Sequence, residues 1–491
     1  MNLAQLLIDR AGRQPTAVAV VDDEGPVEYG ELVAMAAGWA RWFLSQRLEP
    51  GERVAFQLSN GRKWLGCYWG ASLAALIAVP INTRNRPAEV DDMMARSGAS
   101  LLVGESSETP EPAVLDDGVM ARLGRGPDDV ALLQFTSGST ARPKAAMLTH
   151  RGLTANARAL TRVWGLDQGE ALLVPSPLSH ILGFVSGCLV PVLAGGTLLT
   201  MAAFRADRAL ELIDRYRPVG MAGTPTHYLM AVEHPHRARF DCSSLRFAMH
   251  GGGPMTPDVA ARICADLGQP SLLSGFGMSE TSGGVTSVDP DDPPDVQLAT
   301  VGRPLPTFEV KIVDPADGSE KPDGEAGELW VRGIPVMTGY WEDPAESERA
   351  LVGDGWLRTG DLMARGEDGC LRFAGRIKEM MIVGGYNVSP GEVERVLGGH
   401  PGVAEVAVVA APHDRLGEIP IACVRLLPGA AATSETSREL EMFCRERLAG
   451  HKVPRHMVFV DDFPVSGSDK VERFKLRDRA AHLSAARDTT R

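Results

Sequence analysis

The chain has 491 residues, enough for two or three packed domains, because single hydrophobic cores stop growing at about 250 to 300 residues. A hydrophobic fraction of 44 % against 23 % charged, with plentiful Gly and Pro but no short repeat, argues against a disordered or fibrous chain. The 50 basic and 63 acidic residues give a formal charge of −13, which, without a long Lys/Arg run, argues against nucleic acid as a partner.

In chain order, the N-terminal Met1–Pro15 has a short apolar stretch interrupted by Asp9 and Arg10 and lacks the basic start of an export signal. Two uncharged stretches, Trp64–Ile81 and Ile181–Phe204, are interrupted by Gly and Pro. Each is predicted as a buried helix leading into a buried strand, not a membrane span. In the second, Ala194-Gly195-Gly196 is the turn before a strand over Thr197–Met201. Short Val/Leu/Ile runs such as Val130–Phe135 and Val406–Ala410 alternate with amphipathic stretches such as Ala206–Arg217 and Pro257–Leu267, which is an α/β pattern.

From about Thr300 to Gly375 the segments shorten (Phe308–Val313, Glu328–Arg332, Leu371–Ala374) between Asp, Gly and Pro turns, predicting a β-rich subdomain. Helix and strand then return. The expectation is a large multi-subdomain domain over 1–377, with α/β layers plus that subdomain, and a small α+β domain over 378–491. The seven cysteines are scattered without a CxxC pair, as suits reduced thiols in a cytoplasm.

The most informative segment is Val130–His150. A buried strand leads into Thr136, Ser137, Gly138, Ser139 and Thr140, followed by Pro143 and Lys144. Backbone N–H groups, hydroxyls and an ammonium at close range suit phosphates, although the same composition serves a plain surface turn. It is not a Walker loop, because Pro143 stands before the lysine and supplies no N–H.

Together with four later motifs, TSGSTARPKA resembles the phosphate loop of the adenylate-forming superfamily, which includes acyl-CoA synthetases, luciferases and peptide-synthetase adenylation domains. Ala141 and Ala145 replace two glycines of that pattern. The motifs follow in the family's order from Thr136 to Lys470. Ser274–Glu280 is similar to the loop whose aromatic residue stacks on adenine and whose acid holds magnesium. The resemblance therefore implies nucleotide contacts from Gly275, Phe276 and Gly277, catalytic roles for Ser279 and Glu280, and Mg²⁺ held by Glu280 with Thr140. A π-face and a hard carboxylate oxygen fit those tasks. Gly252 and Gly253 are implied on the nucleotide as well, with Thr136–Thr140 and Lys144 on its phosphates.

Asp361, in Trp356–Asp361, resembles the aspartate that accepts the ribose hydroxyls, and Arg376 the arginine beside it; a carboxylate can take two hydrogen bonds from a vicinal diol. The segments Gly375–Glu379 and Gly384–Glu394 resemble the junction at which the small domain swings, with Lys378 as hinge and Gly384-Gly385 near an incoming thiol. Pro464–Lys470 resembles the loop bearing the catalytic lysine, Lys470, with Asp469 replacing a glycine. An ammonium there offsets repulsion between the acid and the α-phosphate.

By the same resemblance His180, Phe184, Met249, His250, Gly251, Met278 and Gly283 line the acid pocket. His180 also has a gating or catalytic role, and core packing remains the alternative for His227 and His250. The spacing of these histidines gives no recognised zinc pattern.

The resemblance implies ATP- and Mg²⁺-dependent activation of an aromatic or short acid as acyl-AMP, then transfer to coenzyme A. Three alternatives stay open: transfer to a carrier protein or an amine, activation of nitrite, and a nucleotide-binding relative without turnover. A cytoplasmic monomer or homodimer without a membrane span is expected.

Overall fold

The structure, a computed structural model, describes residues 2–120, 126–136, 143–251, 255, 257–268, 270–413, 415–427, 429–464, 471–473 and 475–477. The chain divides into two compact units. One comprises Met1–Pro254, Ala260–Lys311 and Trp330–Arg358, and the other Met255–Val259, Ile312–Leu329 and Thr359–Arg491. The strands Phe308–Val313, Gly327–Gly333 and Trp356–Arg365 run through the division, so the β-rich stretch contributes residues to both units.

The first unit is built on two sheets. One has seven strands, in the order Ser271–Ser274, Phe247–His250, Gly220–Gly223, Ala171–Leu173, Thr197–Leu199, Val18–Asp22 and Gly25–Glu28. Only the last pair is antiparallel. The other has five, in the order Leu101–Gly104, Arg53–Gln57, Ile77–Pro80, Val130–Thr136 and Lys144–Thr149, again with an antiparallel final pair. Parallel strands covered on both faces need unbroken apolar runs, which explains why Val54, Ala55, Phe56 and Val79 are all fully buried.

Helices follow the predicted periodicity. Ala206–Tyr216 buries Ala209, Leu210, Leu212 and Ile213 and ends at Arg217, whose φ of 48° turns the chain out. The uncharged stretch from Trp64 forms the buried helix Arg62–Leu73 and then the strand Ile77–Pro80. The second stretch differs in one respect. Between the short helices Ile181–Gly183 and Val190–Ala194 lies a π-helical turn, Phe184–Leu189, just before Pro191, which has no N–H to donate. Among the described residues no helix is long and apolar enough to cross a membrane.

The second unit carries a five-stranded sheet. Tyr386–Val388, Met381–Val383, Gly417–Leu426 and Val403–His413 follow one another, and His456–Phe459 pairs with Gly417–Leu426. The middle of Val403–His413, from Ala407 to Ala411, is buried on both faces. Val408 and Ala410 pack with Val393 and Leu397 of the helix Pro390–Gly398 and with Leu440 and Cys444 of the helix Ser434–Arg445. Ala407, Val409 and Ala411 pack with Val460 and Leu476 on the opposite face.

Candidate active site

Thr136 and Lys144 face each other in register across the antiparallel pair that frames the predicted phosphate loop. Ser137, Gly138, Ser139 and Thr140 lie outside the described residues. The Lys144 ammonium pairs with Glu346 and lies 5.1 Å from the centre of the Tyr340 ring. Glu346 sits in the first turn of the helix Pro344–Ala350, capped by Asp343. Hydrogen bonds from Lys144 and then Arg349 hold the Glu346 carboxyl below the usual carboxylate range.

Glu280 lies in the 3-10 turn Ser279–Thr281 and is 7 % exposed. Its Oε1 accepts a hydrogen bond from the Tyr340 hydroxyl at 2.8 Å, and its carbonyl accepts from the Met337 N–H at 2.7 Å. Burial first, and then the Glu280 charge, push the Tyr340 phenol far above its ordinary value, so it stays a donor. Asn156 holds the other side of the loop, its amide donating to the Gly284 carbonyl at 2.6 Å, while Ser282 Oγ donates to Pro335 O at 2.7 Å. Ser279 is buried beside Glu280.

Glycine is required here for space. A Cβ on Gly277 would lie 2.3 Å from the Gly283 carbonyl across the Gly277–Met278 and Gly283–Gly284 hairpin, and one on Gly275 would lie 2.9 Å from Thr286 O. The Phe276 backbone is fixed at both ends by Thr286 and Val285, yet its ring is only half-buried, as is Met278.

His250 ends a central strand of the seven-stranded sheet. The Tyr228 hydroxyl lies 2.7 Å from both Met221 O and Met249 O, bridging the two strands two residues before Gly223 and one before His250. The His250 ring is 7 % exposed and its Nδ1 has no hydrogen-bond partner among the described residues. Burial alone lowers its pKa to about 4, so the ring is neutral at neutral pH. Met249 is buried and Gly251 N–H donates to Gly223 O; Gly252 and Gly253 lie outside the described residues. His227 is a buried core histidine, its Nδ1 accepting from Thr224 N–H at 3.1 Å.

The half-buried His180 caps the turn before the π-helical segment, accepting from Leu182 N–H, and Gln134 holds the preceding Ser179 carbonyl at 3.1 Å. Phe184 is fully buried, edge-on to Tyr68 at 4.9 Å and near Trp64 at 6.2 Å, which makes it part of an aromatic core.

In the second unit Asp361 pairs in register with Arg376 and accepts from its Nε at 3.0 Å. Asp361 is 8 % exposed while Arg376 is 47 % exposed. The exposed Lys378 follows, in the 3-10 turn Ile377–Glu379. Gly384 and Gly385, with φ of 59° and 87°, form the two-residue turn between Met381–Val383 and Tyr386–Val388, a backbone that glycine adopts without strain. Lys470 lies outside the described residues. Sequence reasoning missed Tyr340, Glu346 and Asn156; the only signal for the first two is a Gly-Tyr-Trp followed by a capped acidic helix start.

Among the described residues no three His, Cys, Asp or Glu side chains cluster as a metal cage. Glu280 is nonetheless a suitable donor for a hard cation, because its buried oxygen is oriented by a phenol and its remaining ligands can come from substrate phosphates.

Comparison with known proteins gives the family. The family model described as AMP-binding enzyme matches residues 7–341, and the AMP-binding enzyme C-terminal domain matches 392–470. A feruloyl-CoA synthase of an Amycolatopsis species is 35 % identical over 487 residues, covering 96 % of this chain and 98 % of the relative. A benzoate CoA ligase from Burkholderia xenovorans superposes with a TM-score of 0.87 at 29 % identity, over 97 % of this chain and 100 % of that one. The anthranilate CoA ligase AuaEII in complex with anthranoyl-AMP superposes at 0.91 and 25 % identity, over 99 % and 98 %. With its family model matched over most of its length, the chain belongs to the AMP-binding enzymes, as an AMP-forming acid–CoA ligase.

Proposed function

We propose that the acid this ligase activates is a small aromatic carboxylic acid, that Mg²⁺ assists through Glu280, and that Lys470 is the catalytic lysine. The observation that carries the first point is the full-length similarity to feruloyl-, benzoate- and anthranilate-CoA ligases, all acting on aromatic acids by their names. In the first half-reaction an acid oxygen attacks the α-phosphorus of ATP, pyrophosphate leaves, and acyl-AMP forms. In the second the coenzyme A thiol attacks the acyl carbon, loses its proton, and AMP leaves as the thioester forms.

The chain's own residues divide that work. Thr136 and Lys144 stand at the stems of the phosphate loop, and the Lys144 ammonium exchanges Glu346 for departing pyrophosphate. Phe276 offers a ring face to the base, Asp361 accepts the ribose hydroxyls, and Arg376 holds that carboxylate in place. Tyr340 orients Glu280, whose carboxylate would hold the magnesium ion, and the chemistry such an ion would supply is neutralisation of phosphate charge on the leaving group. Lys470 stabilises the charge between acid and α-phosphate. Seven free cysteines, six of them buried, support a reducing cytoplasmic setting.

The test is pyrophosphate release from ATP with ferulate, benzoate, anthranilate, aliphatic acids and nitrite, with and without coenzyme A, products being read by mass. A thioester formed best from an aromatic acid is the expected result. Preference for an aliphatic acid removes the substrate assignment, and release without a thioester removes coenzyme A as acceptor.

A further inference from the structure

The residues between Pro464 and Val471, which include Lys470, are bounded by two stems that are tied to each other and to the small sheet. Glu472 N–H donates to Pro464 O at 2.7 Å, closing the base. Beyond it Arg473 is held by an ion-pair network. Its guanidinium makes two contacts with the Glu394 carboxylate, donates to Val408 O at 3.0 Å, and lies 3.4 Å from Glu379 through Nε. Glu394 is 6 % exposed and accepts from Val408 N–H at 2.7 Å. The acid and the arginine thus occupy the N–H and C=O that Val408 turns outward from an edge strand, groups that would otherwise be left open. Leu476, 1 % exposed, fixes the chain further on.

Burial opposes the charge on Arg473, but the paired carboxylates outweigh it, so the arginine is charged throughout the working range. A guanidinium that is 26 % exposed and has three protein partners is a costly device for pinning a segment, since desolvation offsets part of its attraction. Its worth is geometric. Arg473 stands three positions after Lys470 in sequence and reaches both the helix Pro390–Gly398 and Glu379, the neighbour of the expected hinge Lys378.

We infer that Arg473 is a positioning residue for Lys470: by its pairing with Glu394, Val408 and Glu379 it anchors the chain three residues after the lysine proposed to act on the acid and the α-phosphate. The inference rests on the role proposed for Lys470. Adenylation needs the lysine in place, whereas attack of coenzyme A on preformed acyl-AMP does not, so a loose tether should separate the two half-reactions.

The experiment measures both halves in the full chain, using the acid that gives the greatest pyrophosphate release in the panel above. ATP–pyrophosphate exchange reports adenylation, and thioester formation from supplied acyl-AMP reports transfer. Arg473→Met should lower adenylation kcat about 100-fold with the acid KM and the transfer rate within about threefold, the cost of misplacing a reacting group by about 1 Å. Arg473→Lys, a point charge that meets Glu394 without the fork, should fall between. Glu394→Gln combined with Arg473→Met removes the stranded buried charge and keeps the fold testable; its adenylation should stay as low as that of Arg473→Met. Equal losses in both half-reactions, or adenylation within about twofold of wild type in either methionine variant, would overturn the inference. Lys470→Ala run in parallel tells the two ideas apart. If it leaves adenylation intact, the reading of Lys470 fails and takes this one with it; if it abolishes adenylation while Arg473→Met does not, only the tether fails.

Discussion

The Tyr340 hydroxyl donates to the Glu280 carboxylate across 2.8 Å although 60 residues separate them in sequence, and the same phenol ring lies under the Lys144 ammonium. One side chain therefore touches both the expected magnesium ligand and the expected phosphate-loop cation. Tyr340→Phe keeps the ring, and with it the contact to Lys144, while deleting the donor to Glu280. Loss of an outer partner to a metal-ligating group costs about 10- to 100-fold in metal affinity or activity. The expected outcome is a rise of that order in the Mg²⁺ concentration needed for half-maximal pyrophosphate release. An unchanged magnesium titration would mean that Glu280 does not hold the ion.

Lys144 is held by Glu346, so a phosphate that takes the ammonium must displace a carboxylate. Glu346 is 25 % exposed, and ion pairs of that kind are worth about 0 to 1 kcal/mol. Glu346→Gln should consequently lower the KM for ATP by about two- to fivefold and leave the melting temperature almost unchanged. The direction is the informative part: a raised KM would show that Glu346 orients Lys144 for the nucleotide and does not compete with it. Because the folded Glu346 pKa is depressed, the stabilisation from its pairing is present above the unfolded carboxylate value of 4.5 and is lost as pH falls through the folded one.

The layers and their strands were legible because buried parallel strands must be apolar and because helices repeat every 3.6 residues; Val130–Thr136 and Phe308–Val313 fall almost where the pattern put them. Glu280, Asp361 and Arg376 were legible only through motif resemblance, since a lone carboxylate or guanidinium looks the same on a surface. Tyr340, Asn156 and the Glu394–Arg473 pair were not legible at all. Each acts on a residue 60 or more positions away or on the backbone of another element, and no local period encodes such contacts. Phe184 is a related case. Its motif pointed to the acid pocket, and its packing against Tyr68 and Trp64 is a further contact that single-sequence patterning cannot give. The π-helical turn escaped for a related reason: a five-residue hydrogen-bond step leaves the apolar pattern intact.

His250 yields a pH prediction. Its folded pKa of about 4 lies below the ordinary imidazole value of 6.5, so the neutral ring contributes stability that is present above about pH 6.5 and is lost as pH falls toward 4. The shift corresponds to roughly 3 kcal/mol across that window, for a ring that is only 7 % exposed. Urea unfolding of the wild type should lose that much more stability between about pH 7 and about pH 4 than His250→Gln loses. Parallel losses in the two proteins would mean that the ring takes up its proton while folded, through solvent access or a polar partner.

The Gly384-Gly385 turn separates a conformational role from a chemical one. Both residues have positive φ in a two-residue hairpin turn, and a Cβ on Gly385 would meet nothing within 4 Å, so space alone does not demand glycine there. Backbone strain does: alanine in the left-handed region costs about 1 to 2 kcal/mol, and asparagine less because its side chain hydrogen-bonds locally. Gly385→Ala should therefore lower stability by about that amount, and Gly385→Asn by under about 1 kcal/mol. Thioester formation from supplied acyl-AMP then decides the second role. If the thiol passes beside this turn, Gly385→Asn should raise the KM for coenzyme A severalfold although the fold tolerates it, because the added side chain stands in the path. If transfer is unaffected in the asparagine variant, the glycines serve the hairpin alone and the route of the thiol lies elsewhere.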